Sequence, residues 1–197
     1  MATFVLLAGG GLAADLLTKH HVFASFLDTP DLTARVEEIR TVFQAEIGRA
    51  PEAPEVLPPF QRTVAPGLRF TLSLNPGVVF GLPMPRWAVA IATVLTMGLV
   101  TVFFATAGAR DRFVHVAMAF VLAGAVGNLY DRLASVVALP GLEPIRYHVR
   151  DFIDCSHLHY PWVFNVADIL LVVGVALLML HWIVTARREA RARRADA

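Results

Sequence analysis

The 197-residue sequence lacks most of the motifs by which soluble enzymes are recognised. Its single cysteine, Cys155, cannot form an internal disulfide bond. It contains no His-Glu-x-x-His zinc motif, no Gly-x-Ser-x-Gly nucleophile elbow and no phosphate-binding loop. Charged residues make up only 17% of the chain, and the formal net charge of +1 provides no overall basic field. These features argue against the common zinc, serine-hydrolase and nucleotide-dependent mechanisms, and no nucleic-acid partner is expected.

Apolar sequence dominates instead. Hydrophobic residues account for 56% of the chain and the mean hydropathy is +0.60, which is typical of an integral membrane protein. A helix needs about 20 apolar residues to cross a bilayer. Four segments meet this length: residues 3–22, 86–107, 113–133 and 162–185. We therefore predict an all-α membrane protein with four transmembrane helices.

The positions of the arginines predict how these spans are oriented across the membrane. Arg110 and Arg112 lie between the second and third spans, and the tail 186–197 carries five more arginines. By the positive-inside rule, both termini are predicted to be cytoplasmic, and residues 23–85 form an insert on the outer face. The alternative for the first segment is a signal peptide cleaved near "GLAAD", although its start has no Lys or Arg. The charge pattern alone leaves that alternative open.

The outer insert is predicted to hold a small subdomain of strand and amphipathic helix. A helix capped by Thr29 and ended by Gly48 is expected, because apolar residues recur there at helical spacing. These residues are Val36, Ile39, Phe43 and Ile47. Residues 49–67 are too rich in proline for regular structure, whereas the alternation in "LRFTLSL" at 68–74 predicts a strand with one apolar face.

Polar residues at membrane depth need a reason, because a charged side chain there costs roughly 2.5–3.5 kcal/mol on insertion scales. Three clusters fall at the predicted outward ends of the spans. They are Asp15 with Lys19; Asn128, Asp131 and Arg132, with Gly124 one turn earlier; and Asn165 with Asp168. Ion pairs within Asp15–Lys19 and Asp131–Arg132 are the simplest interpretation of two clusters. Small residues in "GAVGN" suit close helix contact.

Asp168 has no cation near it in sequence, so its partner must come from elsewhere. Asp151 and Asp154 are available in "YHVRDFIDC", predicted to be a loop entering the last span. Two carboxylates at a partly dry site share a proton, so one can activate a water while the other polarises a carbonyl, as in aspartic proteases. A proton relay in a transporter, or a scaffold with ion-paired acids, is compatible with the same residues.

The overlapping stretch "HVRDFIDCSHLH", residues 148–159, gathers possible metal ligands, although a solvated loop beside the lipid headgroups is the simpler interpretation. These ligands would be His148, Asp151, Asp154, Cys155, His157 and His159.

Four blocks of the sequence resemble the lipoprotein signal peptidases, or signal peptidase II, a family of bacterial intramembrane aspartyl proteases. The blocks are "DLLTK" from Asp15, "NPGVVFG" from Asn75, "GAVGNLYDR" from Gly124, and "RDFID" from Arg150 with "FNVAD" from Phe164. The resemblance extends over nearly the whole chain. The inserts at 28–69 and 134–148 are longer than is usual in the family. Within "NPGVVFG", Val79 stands where the family usually has a small residue.

The resemblance implies a catalytic dyad of Asp151 and Asp168 in a single membrane-embedded peptidase domain. Residues implied to line the substrate site or hold the dyad are Asn75, Gly77, Gly124, Asn128, Arg132 and Asn165, while Asp15 and Lys19 would be structural. It further implies cleavage of diacylglyceryl prolipoproteins just before the lipid-modified cysteine, at the outer face of the bacterial cytoplasmic membrane. Membrane lipids and inhibitory cyclic-peptide antibiotics are expected partners; no metal or organic cofactor is implied.

Overall fold

The computed structural model describes residues 2–79, 82–83, 85–106 and 112–195. The helices are α1 Ala2–Leu27, α2 Leu32–Ile47, α3 Ala53–Val56, α4 Arg86–Thr106, α5 Arg112–Ala134 and α6 Val166–Ala195. The strands are β1 Gln61–Ala65, β2 Leu68–Asn75, β3 Val78–Val79, β4 Leu82–Pro83, β5 Val136–Val137, β6 Ile145–Arg146, β7 Val149–Asp154 and β8 Val163–Phe164. Arg110, on which the orientation of the spans partly depends, lies outside the described residues.

Three helices, α1, α5 and α6, are long and apolar enough to cross a membrane, and α4 contributes a shorter apolar segment, Trp87–Gly98. The described part of the chain is therefore a mostly helical membrane protein with three candidate spans, and the fourth span stays a prediction. α5 lies at the centre of the helices, because α1, α4 and α6 all pack against it.

α6 differs from the predicted span 162–185 at both ends. It begins at Val166 because Val163–Phe164 pair with β7 as strand β8 and because the side chain of Asn165 accepts a hydrogen bond from the first turn. It continues through the arginine-rich tail to Ala195, since arginine and alanine are strong helix formers.

An antiparallel sheet is formed by β1, β2, β7 and β8 in that order. The strand predicted at 68–74 is confirmed as β2, whose Leu72 is fully buried. The prediction of a loop at "YHVRDFIDC" is wrong, because residues from it form β7. Asp151 and Phe152 are neighbours and both are buried. The β2–β7 register shifts within the pair, which breaks the period of two by which a strand is recognised.

A hydrophobic core lies beneath this sheet and connects it to the end of α1. Phe26 of α1, Val36 of α2, Leu72 of β2 and Phe152 of β7 meet there. The insert 134–148 contributes to the same core through the β5–β6 ribbon, where Val137 and Ile145 are paired.

α2 is the predicted amphipathic helix. Val36 is 1% exposed, and Gly48 ends the helix at a φ of +82° while its N–H donates to the carbonyl of Gln44. Two details of the prediction are wrong. Thr29 does not cap the helix, because the hydroxyl of Thr29 instead donates to the carbonyl of Phe26. Ile47 is 58% exposed, because it lies in the last turn, past the part of the helix that contacts the core.

Residues 49–67 contain regular structure despite their prolines, so the prediction of an irregular connector is wrong. α3 begins with a capping box between Glu52 and Glu55. Pro54 lies in its first turn, where a missing N–H costs no helical hydrogen bond. β1 occupies a proline-free stretch, Gln61–Ala65.

Candidate active site

Asp151 and Asp168 come from different elements and are joined by one side chain. Asp151 lies in β7 opposite Ser73 of β2 and is 4% exposed. Asp168 lies in the first turn of α6. Asn165, just before that helix, donates from Nδ2 to Oδ1 of Asp151 at 2.6 Å. The backbone N–H of Asn165 donates to Oδ2 of Asp168 at 3.1 Å, and the N–H of Asp168 donates to Oδ1 of Asn165 at 3.1 Å.

This reciprocal pair explains why the sequence "NVAD" positions Asp168. An asparagine before a helix and an acid three residues later satisfy one another's backbone N–H groups, as in a capping box. The pair fixes the carboxylate of Asp168 at the helix start, where the helix dipole also favours a negative charge. The amide nitrogen of Asn165 then remains available for Asp151.

Asn128 of α5 contacts both Asp168 and Asn165. Its Nδ2 donates to Oδ1 of Asp168 at 2.8 Å. Its Oδ1 accepts from Nδ2 of Asn165 at 3.1 Å and from Nζ of Lys19 at 3.0 Å. Polar residues of α1, α5 and α6 therefore converge in one layer with Asp151.

Asn75 reaches Asp151 from the end of β2. The Oδ1 of Asn75 accepts a hydrogen bond from the N–H of Gly77 at 2.9 Å, and the side chain of Asn75 also hydrogen-bonds Asp151. Gly77 has a φ of +118°, a conformation that favours glycine. Phe80 and Gly81, the end of the "NPGVVFG" block, lie outside the described residues.

The surroundings of Asp151 favour its protonated form. Burial, and then the negative charge of Asp168, raise the pKa of Asp151 from 3.8 to about 8, against hydrogen bonds from Asn165 and Asn75 that lower it. A pair of acids in which one keeps its proton near neutral pH can supply a general acid and a general base together.

A second layer of charges supports these residues. Nζ of Lys19 lies 2.8 Å from Oδ2 of Asp15 and 3.2 Å from Oδ2 of Asp131, and all three side chains are fully buried. Oδ1 of Asp15 also accepts a hydrogen bond from the N–H of Ala167 at 2.9 Å, directly beside Asp168. The predicted Asp15–Lys19 ion pair is therefore confirmed.

The predicted ion pair between Asp131 and Arg132 is wrong. Asp131 instead pairs with Arg150 of β7 at 2.7 Å, in addition to Lys19. Consecutive residues on a helix point in different directions, so Asp131 faces inward while Arg132 lies half-buried beside the dyad. Nη1 of Arg132 donates to the carbonyl of Asn128 at 3.1 Å, and its buried Nε has no hydrogen-bond partner among the described residues. Its positive charge interacts with both Asp151 and Asp168.

Gly124 lies at the contact between α5 and α6. A methyl group at Gly124 would overlap the carbonyl oxygen of Ala167 and lie 2.8 Å from Cγ of Leu171. The small residue therefore lets α5 approach the first turn of α6, which carries Asp168.

Asp154 belongs to a separate cluster. Its Oδ2 accepts from Nη2 of Arg69 at 2.7 Å and from Oγ1 of Thr71 at 3.3 Å. Its Oδ1 accepts from the N–H of Ser156 at 2.8 Å. Burial alone would raise the pKa of Asp154, but the hydrogen bonds from Ser156 and Arg69 outweigh it and lower that pKa. The geometry thus brings Asp151, and not Asp154, to Asp168.

No group of three or more His, Cys, Asp or Glu side chains is arranged to hold a metal ion within the described ranges. Two of the possible ligands have other partners: Asp154 in its own cluster, and His148, whose Nδ1 lies 2.7 Å from the carbonyl of Arg146.

A cleft of about 280 Å³ opens beside Asp168. Its other lining residues are Cys155, Tyr160, Phe164, Ile169, Val172 and Val173. This wall was not predicted from the sequence, although the aromatic residues at alternate positions in "YPWVF", residues 160–164, are a visible signal. An apolar cleft with one carboxylate at its side suits an apolar peptide or lipid chain.

Comparisons with known proteins agree with this architecture. The sequence model of the family "Signal peptidase (SPase) II" matches residues 7–184. A lipoprotein signal peptidase of Aquifex aeolicus is 38% identical over 130 residues, which are 62% of this chain and 70% of the relative. One from Pseudomonas putida is 33% identical over 127 residues, which are 61% of this chain and 68% of the relative. A solved bacterial membrane enzyme superposes with a TM-score of 0.65 over 94% of this chain and 90% of its own, and at 22% identity it shows the fold alone.

Proposed function

The chain belongs to the signal peptidase II family, and we propose that it removes the signal peptide from diacylglyceryl prolipoproteins by an aspartic mechanism. Cleavage occurs just before the lipid-modified cysteine. The observation that carries the proposal is the link from Asp151 through Asn165 to Asp168, because it gives two carboxylates from separate elements one shared environment.

In this mechanism Asp151 enters with its proton and Asp168 enters as the carboxylate. The raised pKa of Asp151 supports the first assignment. For the second, Asp168 accepts hydrogen bonds from Asn128 Nδ2 and Asn165 N, both of which suit a negative charge. Asp168 takes a proton from a water molecule, and the oxygen of that water attacks the scissile carbonyl carbon. At the same time Asp151 donates a hydrogen bond to the carbonyl oxygen. Collapse of the tetrahedral intermediate re-forms the carbonyl and breaks the C–N bond, and the proton that Asp168 took from the water passes to the leaving amine.

Other parts of the site follow from the same proposal. Asn75, held by Gly77, and Asn165 position Asp151, while Asn128 and the close contact at Gly124 position Asp168. Arg132, whose buried Nε has no hydrogen-bond partner in the described part of the chain, faces the substrate or the charge that develops on it. The cleft lined by Tyr160 and Phe164 takes apolar parts of the substrate.

The proposed setting is the bacterial cytoplasmic membrane, with four spans, both termini cytoplasmic and the dyad near the outer face. The arginines at the end of α6 support this orientation. In that setting the scissile bond of a lipid-anchored substrate lies at the depth of the dyad. Membrane lipids and cyclic-peptide antibiotics are the further ligands that the proposal implies.

The test is cleavage of a diacylglyceryl prolipopeptide by the purified full-length protein. Asp151→Asn and Asp168→Asn are each expected to lower kcat by at least about 10³-fold while the protein still accumulates in the membrane. Asp154→Asn is the matched control, since it makes the same change three residues from Asp151, and it should retain kcat. If either dyad variant cleaves at the normal rate, the dyad assignment is wrong and the acids serve a scaffold or a proton pathway.

A further inference from the structure

Lys19 is the only lysine among the 17 lysine and arginine residues of the chain, and it is fully buried. Its ammonium group has three donors and three acceptors around it. These are Oδ2 of Asp15 at 2.8 Å, Oδ1 of Asn128 at 3.0 Å and Oδ2 of Asp131 at 3.2 Å. Two of these contacts neutralise its charge, whereas the third goes to a neutral amide that touches Asp168.

The contact with Lys19 selects one orientation of the Asn128 side-chain amide. A side-chain amide can be turned by half a circle, which exchanges an acceptor oxygen for a donor nitrogen. With Oδ1 towards Lys19, Asn128 presents Nδ2 to Asp168 at 2.8 Å. In the turned orientation Nδ2 would face an ammonium group and Oδ1 would face a carboxylate, so both contacts would be repulsive. An ammonium can only donate, and it therefore fixes the direction of the hydrogen bonds that follow it.

The orientation of Asn128 in turn fixes the orientation of the Asn165 amide. Oδ1 of Asn128 also accepts from Nδ2 of Asn165, and that same Nδ2 donates to Asp151. The amide of Asn128, which contacts Asp168, and the amide of Asn165, which contacts Asp151, are thus oriented by one chain of hydrogen bonds that starts at Lys19.

We propose that Lys19 is a positioning residue, whose ammonium holds the Asn128 amide so that its Nδ2 faces Asp168. The inference rests on the proposed function, in which Asp168 must be a correctly oriented carboxylate. It goes beyond a structural ion pair, because Asp131 is also neutralised by Arg150 at 2.7 Å and Asp15 also receives the N–H of Ala167. A compact ammonium can point its donors at three acceptors on two helices, Asp15 of α1 and Asn128 and Asp131 of α5, which a planar guanidinium cannot.

A double-mutant cycle on kcat tests whether Lys19 acts through Asn128. The variants of the full-length protein are Lys19→Met, Asn128→Ala and the combination, assayed with a diacylglyceryl prolipopeptide. Lys19→Met should lower kcat roughly 10- to 100-fold with a smaller change in KM, because the charge-assisted hydrogen bond that orients Asn128 towards Asp168 is lost. The combination should stay within about threefold of Asn128→Ala alone. If the two losses multiply, or if folded Lys19→Met keeps its kcat, the proposal is overturned.

Arg69→Met is the matched control, because it also replaces a cation paired with a buried carboxylate, Asp154, but has no contact with Asn128 in the described structure. It should lower the thermal midpoint and leave kcat per folded molecule within about twofold. If Lys19→Met does not fold, the charge-neutral pair Lys19→Met/Asp15→Asn replaces it in the same cycle, with the same expectations.

Asp168→Asn, measured in the same series, separates this inference from the proposed function. An active Asp168→Asn overturns the dyad, and the role of Lys19 with it. An inactive Asp168→Asn together with multiplying losses in the cycle overturns the role of Lys19 only.

Discussion

Asn165 donates a hydrogen bond of 2.6 Å to Asp151 while its own backbone and side chain cap the helix that carries Asp168. One residue therefore performs two physically separable tasks. Its oxygen satisfies a helix N-terminus, and its nitrogen fixes a carboxylate on a strand of the sheet. Because a carbonyl oxygen and an amide nitrogen can be replaced independently, the two tasks can be measured separately.

Asn165→Ala is expected to lose both tasks. Loss of the cap should cost about 0.5–2 kcal/mol of stability, and loss of the contact with Asp151 should lower kcat about 10- to 100-fold. Asn165→Ser keeps an oxygen that can cap the helix but has no nitrogen for Asp151. It should recover most of the thermal midpoint and little of kcat. A serine variant with normal kcat would contradict the role given to Nδ2.

The pH dependence of cleavage should reflect the raised pKa of Asp151. Burial and the charge of Asp168 raise this pKa to about 8, so below that pH Asp151 keeps the proton that the proposed mechanism requires. Activity is expected to fall about tenfold per pH unit above pH about 8, as Asp151 ionises. Asp154→Asn should leave this limb in place, since Asp154 belongs to another cluster. A pH–kcat profile that stays flat to pH about 10 would contradict the assignment.

The same shift has a consequence for folding. Because the pKa of Asp151 is higher in the folded protein than its ordinary value of 3.8, the unfolded chain releases this proton first as the pH rises. Asp151 therefore lowers the free energy of unfolding progressively between pH about 4 and about 8. Asp151→Asn should reduce that decline, which thermal midpoints measured over this range would reveal.

The Asp154 cluster is expected to contribute to stability and not to catalysis. Asp154 is buried with Arg69, Thr71 and Ser156 around it. Asp154→Asn should lower the free energy of unfolding by about 1–3 kcal/mol, because the charge-assisted bonds to Arg69 are weakened. Its pKa is lowered in the folded state, so this contribution is present above pH about 4 and is lost as the pH falls. A kcat per folded molecule far below normal would place Asp154 in the site.

The polar layer could be predicted from sequence because each cluster interrupts an apolar run at helical spacing. Asp15 with Lys19 shows this, since two residues four apart on a helix are neighbours whatever the rest of the fold does. Asp168 could be singled out for the opposite reason, as an acid with no local partner. In both cases the energetic cost of a charge at membrane depth made the signal strong.

Other parts of the site could not be predicted from the sequence, because they depend on contacts between elements that are distant along the chain. The partner of Asp131 is Arg150 on β7, and nothing in the helix around Asp131 indicates it. β7 was missed because its buried and exposed residues do not alternate. The sequence pattern alone also left both Asp151 and Asp154 as candidate partners of Asp168. Pairing with β2 separates them, because Asp154 there lies opposite Arg69 and Asp151 opposite Ser73.

Gly124 offers a test of how closely α5 and α6 must approach. A Cβ there would overlap the carbonyl oxygen of Ala167 and crowd Leu171, so Gly124→Ala must push apart the helices that position Asp168. Overpacking of this kind typically costs about 1–3 kcal/mol, and kcat should fall because Asp168 moves with Ala167. Gly9→Ala in α1 is the control, since nothing lies within 4 Å of its Cβ, and it should be neutral or stabilising by up to about 1 kcal/mol. Thermal midpoints and kcat of both variants decide the matter: equal behaviour would show that the contact at Gly124 is not required.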